Sequence, residues 1–345
     1  MPRTLKVAVA GLGPAGQAAA RAVLQTAGLK LVAVADPLAA FAGKDLGAVL
    51  GLPRRLRLTV EGRPERFLKK GRADVVFVCT SSLLRDVKPL LLQLIARRMH
   101  VITTCEELAY PIPARAAELR ELDRLAKRKK VSLLATGINP GFAMDALPLA
   151  LTGACARVRR VSVTRVVDAA SRSLALQRRV GAGLSLAQFR RAVSEGAVRH
   201  VGLPQSAHLI AGALGWKLAR VDETLEPAIA PRDLDTEYLR IAAGAAAGIR
   251  QSVRAYRDGE LAVSLDLQVY VGAEAPRDHL LIDGDPPIDA TIAGGINGEL
   301  ATAALLVNSL PRLLAARPGL LNALELPLVH ALNPQDLATP PARRR

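Results

Sequence analysis

An apolar run at residues 5–10 stops at a cluster of glycines, and residues 14–25 then carry the Ala-rich spacing of a helix. A second apolar run ends at Asp36. The same alternation continues through strand-like residues 73–82, helix-like 86–99, strand-like 100–104, helix-like 113–130 and strand-like 131–137. Strands alternating with helices imply right-handed crossovers and a parallel sheet.

After about residue 151 the period changes. Residues 157–169, 248–259, 260–273 and 278–284 alternate apolar with polar positions, and Asp258-Gly259 and Asp283-Gly284 read as turns. That pattern describes an antiparallel sheet with one open face, interrupted by helix-like stretches at Leu186–Glu195 and Ala207–Gly215. Gly298–Arg317 reads as one long terminal helix returning to the first domain. The expected fold class is therefore α/β: an N-terminal Rossmann-type doubly wound parallel sheet, with a second α+β domain on a largely antiparallel sheet. The boundaries read as 1–150 for the dinucleotide-binding domain, 151–296 for the substrate and dimerisation domain, 297–330 for the returning helix and 331–345 for a basic, disordered tail.

Composition narrows the class. Of 345 residues half are apolar but only 3% aromatic, so the core is built from Leu, Val, Ile and Ala. No apolar stretch approaches the roughly 20 residues a membrane span needs. The N-terminus enters a strand without a signal-peptide core, which reads as cytoplasmic. The net charge of +16 does not gather into a patch, and with few aromatics to stack on bases nucleic acid is not an expected partner. Cys79, Cys105 and Cys155 match no metal-ligand spacing and read as reduced structural thiols; no metal is expected.

The glycine cluster is Gly11-x-Gly13-x-x-Gly16, with Pro14 and Ala15 opening the helix. Gly11 permits a tight turn, Gly13 lets backbone N–H groups reach a pyrophosphate, and Gly16 lets helix and strand approach. Asp36 lies 20 residues after Gly16, where such a turn is followed by a carboxylate for the adenosine ribose. A carboxylate there repels a 2′-phosphate, so NAD is favoured; Lys44 keeps NADP open. Ligands of such sheets gather at the carboxyl ends of the strands. The loops there carry Thr80, Ser81 and Ser82, then Cys105, Glu106 and Glu107, then Ile138, Asn139, Pro140 and Phe142.

Two adjacent glutamates at a strand end can simply supply charge to the first turn of a short helix. The crevice at that strand end, however, also receives the nicotinamide. Sugar and polyol dehydrogenases of this architecture carry Glu-Lys-Pro in the equivalent loop, the lysine moving the alcohol proton; here the loop reads Glu-Glu-Leu-Ala-Tyr-Pro. A carboxylate suits the opposite polarity, accepting a proton from ammonium and stabilising an iminium.

The blocks "TTCEELAYP", "GINPGFAMDALPL", "RVVDAASRSLALQRRVGAGLS", "HVGLPQSAHLIAGALGW" and "DGDPPIDATIAGGINGELATAALLVNSLP" together resemble the native amine dehydrogenases, relatives of the 2,4-diaminopentanoate dehydrogenases. The resemblance spans residues 5–328. It implies NAD(P)H-dependent, reversible reductive amination of a ketone or aldehyde with ammonia, in a homodimer whose second domain completes the pocket. It carries the key glutamate onto Glu106 or Glu107, with Glu107 preferred as the inward one. His200 lies in a shared block and becomes a pocket candidate, with Ile138, Phe142 and Met144. The five histidines never pair, which speaks against a dihydrodipicolinate reductase. The apolar pocket blocks favour a small substrate without a carboxylate. A diamino acid substrate instead needs charged anchors, which Arg165, Asp168, Arg172 and Arg178 could supply. A non-catalytic NAD-binding sensor is the alternative of another class.

Overall fold

The computed structural model describes residues 4–64 and 72–332; the expected tail lies outside them from residue 333. In chain order the first elements are β1 (Leu5–Ala10), α1 (Pro14–Gln25), β2 (Leu29–Ala35), α2 (Leu46–Val49), β3 (Val75–Val78), α3 (Leu84–Ala96), β4 (His100–Thr103), α4 (Ala116–Lys129) and β5 (Ser132–Ala135). There follow α5 (Ala146–Thr152), β6 (Arg157–Asp168), α6 (Leu174–Arg179), α7 (Leu186–Ser194), α8 (Leu203–Ala213), β7 (Arg220–Ile229), β8 (Leu234–Asp235), β9 (Arg240–Ile241), β10 (Ala246–Arg257), β11 (Glu260–Tyr270), β12 (Arg277–Asp285) and β13 (Ile288–Ala293). The chain closes with α9 (Gly298–Asn308), α10 (Leu310–Ala315) and β14 (Gly319–Leu321).

Two compact units result, one of residues up to 141 together with those from 298 onward, the other of 142–297. The first holds a six-stranded parallel sheet in the order β14-β5-β4-β3-β1-β2. Strands β3 and β5 are buried along their whole length, which is why they read as unbroken apolar runs. One core lies under α3 and α4, and the other lies under α1 and α9 on the opposite face.

The seam falls at Gly141 rather than at 150. The apolar helix α5, expected in the first domain, packs on β6 and β12 of the second unit. The expected terminal helix is two helices, because Pro311 restarts the chain as α10, and the segment then adds the edge strand β14 beside β5.

The second unit holds a mixed six-stranded sheet in the order β13-β12-β6-β11-β10-β7. Asp258 and Gly259, both at positive φ, join β10 to β11 in a two-residue hairpin, as the sequence indicates. Asp283-Gly284 does not turn. It lies inside β12 at a register shift, and a Cβ at Gly284 would sit 2.8 Å from the Arg157 carbonyl oxygen, so that glycine serves strand approach. Helix α8 covers β10 and β11, and one face carries the cross-strand row Thr224, Ser252, Asp266, Thr164, His279 and Thr291.

Candidate active site at the strand ends of the parallel sheet

The glycine turn behaves as its spacing requires. Gly11 has φ +90°, and a Cβ there would lie 2.4 Å from the Cys79 carbonyl oxygen; a Cβ at Gly16 would lie 1.8 Å from the Gly11 oxygen. At Gly13 a Cβ would meet nothing within 4 Å. Turn, helix and strand β3 therefore touch at two glycines, while the third opens onto free space. Helix α1 begins at Pro14 with no side chain capping its first turn. Its leading N–H groups and the positive end of its dipole can serve a pyrophosphate.

Asp36 is 5% exposed, and its two oxygens face different amides: Oδ2 accepts from Leu12 N at 2.6 Å and Oδ1 from Leu38 N at 2.9 Å. The carboxylate thus ties the end of β2 to the glycine turn, and each oxygen keeps lone-pair capacity for a ribose hydroxyl. Uncapped helix, open glycine and carboxylate together fit a dinucleotide.

The loop after β3 exposes Thr80, while the Ser81 hydroxyl donates to Asp86 at 2.7 Å and accepts from Leu83 N at 3.1 Å. The Ser82 carbonyl receives the Cys105 thiol and the Glu107 amide, each at 3.3 Å. Burial, reinforced by the two following glutamates, pushes the Cys105 thiol far up, and burial pushes Cys79 to about 12. A raised pKa disfavours the thiolate, the nucleophilic form, at both cysteines.

Glu106–Leu108 form one 3-10 turn after β4, and both glutamates are half-buried. Their surroundings differ. Glu107 Oε2 accepts from Leu84 N at 2.7 Å, at the start of α3, and Glu107 Oε1 faces Arg115 Nη2 at 3.2 Å. Arg115, at the N-cap of α4, also donates to Glu118 at 3.1 Å, and these carboxylates hold its guanidinium above its ordinary pKa. Glu107, preferred above as the inward glutamate, thus has both carboxylate oxygens engaged, one at the start of α3 and one on Arg115. Sequence proximity could not show this, because Leu84 lies 23 residues upstream.

The loop after β5 turns sharply. Asn139-Pro140 is cis, Gly141 has φ +122°, and a Cβ at Gly141 would lie 2.7 Å from Gly137 N. Asn139 and Pro140 are buried, and Ile138 N donates to Thr302 Oγ1 at 3.1 Å. Thr302 gave no signal in the sequence.

In the second unit Phe142 is half-buried and Met144 is fully buried; Asp145 caps α5 and accepts from Ser206 Oγ at 2.7 Å. Arg165 and Asp168, expected as substrate anchors, are engaged in the fold. Arg165, 3% exposed, holds both oxygens of the buried Asp278 at 2.5 and 2.6 Å and donates to Ile296 O. Asp168 Oδ1 accepts from Ala170 N and Gly272 N, both at 3.0 Å. His200 exchanges two backbone bonds with Gln251, and its ring Nε2 is buried with no hydrogen-bond partner. Burial, then Arg179, Arg165 and Arg199, lower its pKa to about 3, so the ring is neutral. Among the described residues no cluster of three His, Cys, Asp or Glu could hold a metal, and no helix is long and apolar enough to cross a membrane.

Residues 5–136 match the oxidoreductase family with an NAD-binding Rossmann fold. The chain is thus an NAD-binding oxidoreductase. Residues 142–339 match the C-terminal domain of 2,4-diaminopentanoate dehydrogenase. A 2,4-diaminopentanoate dehydrogenase of Acetoanaerobium sticklandii is 33% identical over 339 residues, covering 95% of each chain. The protein belongs to the 2,4-diaminopentanoate dehydrogenase family. An amine dehydrogenase of Streptomyces virginiae is 24% identical, covering 95% of this chain and 98% of its own. The structure of an amine dehydrogenase from Mycobacterium smegmatis superposes with a TM-score of 0.86 at 22% identity, covering 96% and 98% of the two chains.

Proposed function

We propose that this protein is an NAD(P)-dependent amine dehydrogenase that acts on a CH–NH2 group, aminating a ketone or aldehyde reductively with ammonia and deaminating the amine in reverse. The observation that carries the reading is the pair of half-buried glutamates in one turn at the carboxyl end of β4. Glu107 is anchored to α3 and Arg115, and on that ground we assign the acid/base role to Glu106 in the same turn. Bound NADH supplies the hydride that converts an iminium carbon to an amine carbon. The chain's own contribution is a carboxylate that moves a proton to and from ammonia or the carbinolamine oxygen, and that stabilises iminium charge.

Asp36 favours NADH over NADPH by charge. The polar face of the second sheet suits a homodimer, checked by light scattering at micromolar concentration. The unpaired thiols Cys79, Cys105 and Cys155 suit the cytoplasm. Family membership favours a second reading, oxidative deamination of a diamino acid, whose anchors would come from Arg165, Asp168, Arg172 and Arg178, of which Arg165 and Asp168 already hold bonds within the fold.

The test is NADH, ammonia and a panel of aldehydes and ketones, run beside NAD with simple amines and a 2,4-diamino acid. We expect turnover in the first arm. Turnover of the diamino acid alone selects the second reading, and turnover in neither leaves a nucleotide-binding sensor. Glu106→Gln should lower kcat by about 10² to 10⁴ with folding intact; near-normal kcat would sink the assignment.

A further inference from the structure

We infer that Arg115 is a positioning residue for the catalytic turn, acting on Glu106 through Glu107. The inference rests on the assignment of the acid/base role to Glu106. The turn Glu106–Leu108 is a single 3-10 turn, too short to hold a side chain by its own backbone bonds. Glu107 ties it to three neighbouring segments. Its amide donates to Ser82 O at 3.3 Å, Oε2 accepts from Leu84 N at 2.7 Å, and Oε1 meets Arg115 Nη2 at 3.2 Å. Three segments of the first unit thus converge on one residue: the loop after β3, the start of α3 and the start of α4.

Arg115 is the charged member of that set, and its geometry is asymmetric. Nη2 faces Glu107, whose side chain is 12% exposed, while Nη1 faces Glu118, which is 31% exposed and also lies 3.9 Å from Lys88. The outer pair is solvated and contributes little. The inner pair is more sheltered and bears on the turn.

Arg115 has a second effect. With its guanidinium against Glu107, the negative charge next to Glu106 is compensated on one oxygen by a cation and on the other by a helix N-terminus. Without Arg115 that carboxylate keeps one amide and is otherwise free to swing toward water, carrying the turn with it. A catalytic group displaced by about 1 Å can lose on the order of 10² in rate, so the expected loss is kinetic before it is thermodynamic.

The experiment uses the full-length enzyme and the substrate that gives turnover in the panel. Arg115→Ala should lower kcat roughly 10- to 100-fold while the Kd for NADH, read by nicotinamide fluorescence, stays within about twofold. Arg115→Lys should recover part of that loss, since an ammonium restores the charge but not the fork. Glu107→Gln keeps an acceptor for Leu84 N and withdraws the anion from Arg115, so it should lose a similar factor. The double variant should be no worse than the poorer single one, as expected of residues acting in series. Glu118→Gln, cutting only the outer arm, should leave kcat near the parent value.

Unchanged kcat in Arg115→Ala, multiplicative losses in the double variant, or a kcat loss that Lys does not relieve overturns the inference. If Arg115→Ala does not fold, Arg115→Lys and Glu107→Gln decide by the same cycle. Glu106→Gln separates the two levels: full activity there removes the acid/base assignment itself, whereas a dead Glu106→Gln beside an unaffected Arg115→Ala removes only the role of Arg115.

Discussion

Both units tie carboxylates to backbone amides, but only the second buries a carboxylate against an arginine with both side chains withdrawn from solvent. In the parallel-sheet unit, Asp36 and Glu107 accept backbone amides at strand ends and helix starts, so each carboxylate ties one loop to another. In the mixed-sheet unit, Asp278 faces Arg165 directly across β12 and β6, with both side chains withdrawn from solvent. The first arrangement shapes loops that can meet a ligand. The second pins two strands, and because Ile296 N donates to Asp278 Oδ2 at 2.8 Å it also holds the segment that leads out of the unit.

Breaking the second arrangement should have the largest effect on stability. Burial pulls the Arg165 pKa down while Asp278 opposes it, so either partner left alone is an uncompensated polar group in the core. Asp278→Ala should destabilise by about 3–5 kcal/mol, and replacing both residues by apolar ones of similar volume should restore most of that. Thermal melting of single and double variants checks it. Equal melting temperatures in all three would mean that the pair has little effect on the sheet.

Acid should next distinguish the units through His200. Its pKa is about 3 in the folded chain against 6.5 unfolded, with burial the main cause. Above pH 6.5 both states are neutral there and the residue contributes no pH dependence. As the pH falls below 6.5 the unfolded chain takes up a proton that the folded chain refuses, so stability is lost progressively until about pH 3. The slope reaches at most about 1.4 kcal/mol per pH unit. His208, whose pKa burial also lowers, adds in the same sense. Urea unfolding between pH 7 and 4 should show a shallower decline in His200→Gln; an unchanged slope would place the acid sensitivity elsewhere.

Asp36 tests whether a carboxylate of the first kind can be exchanged freely. Charge repulsion alone says that Asp36→Ala should trade NADH for NADPH. The bond to Leu12 N says otherwise, because the glycine turn loses an acceptor at the same time. We expect kcat/KM for NADH to fall roughly 10-fold, the equivalent of about 1.4 kcal/mol, with no compensating gain for NADPH. A clean reversal of preference would show that the turn stands without Asp36.

What the sequence discloses follows from these distances along the chain. Gly11, Gly13, Gly16 and Asp36 are legible because turn, helix and carboxylate fall within one βαβ unit, where spacing alone sets geometry. Asp258-Gly259 is legible as a hairpin for the same reason. Arg165 and Asp278 lie 113 residues apart and meet only through strand register, so Arg165 reads as a free anchor until β12 is placed beside it. The glutamate pair is intermediate: the motif marks the turn, but the partners of Glu107, Leu84 N and Arg115, lie outside it. Asp283-Gly284 misleads because glycine serves close strand approach as readily as a turn.

Thr302→Val is the smallest and most discriminating change, since it tests a distant partner inside the unit whose site is otherwise local. Thr302 sits on α9, and its hydroxyl accepts from Ile138 N at 3.1 Å, across 164 residues of chain. Valine keeps the branched shape and removes only the acceptor. Ile138 N–H, part-buried, then loses its bond, a cost of about 1 kcal/mol. If the loop after β5 is held by its own geometry, with Gly141 at positive φ, then the variant should melt slightly lower with kcat and the Kd for NADH unchanged. If α9 is what fixes the loop, the KM for the carbonyl substrate should rise while melting hardly moves, because the backbone would shift to find water. We expect the first outcome. A rise in KM at constant melting temperature would show that this loop, like Arg165, depends on a partner that local spacing does not reveal.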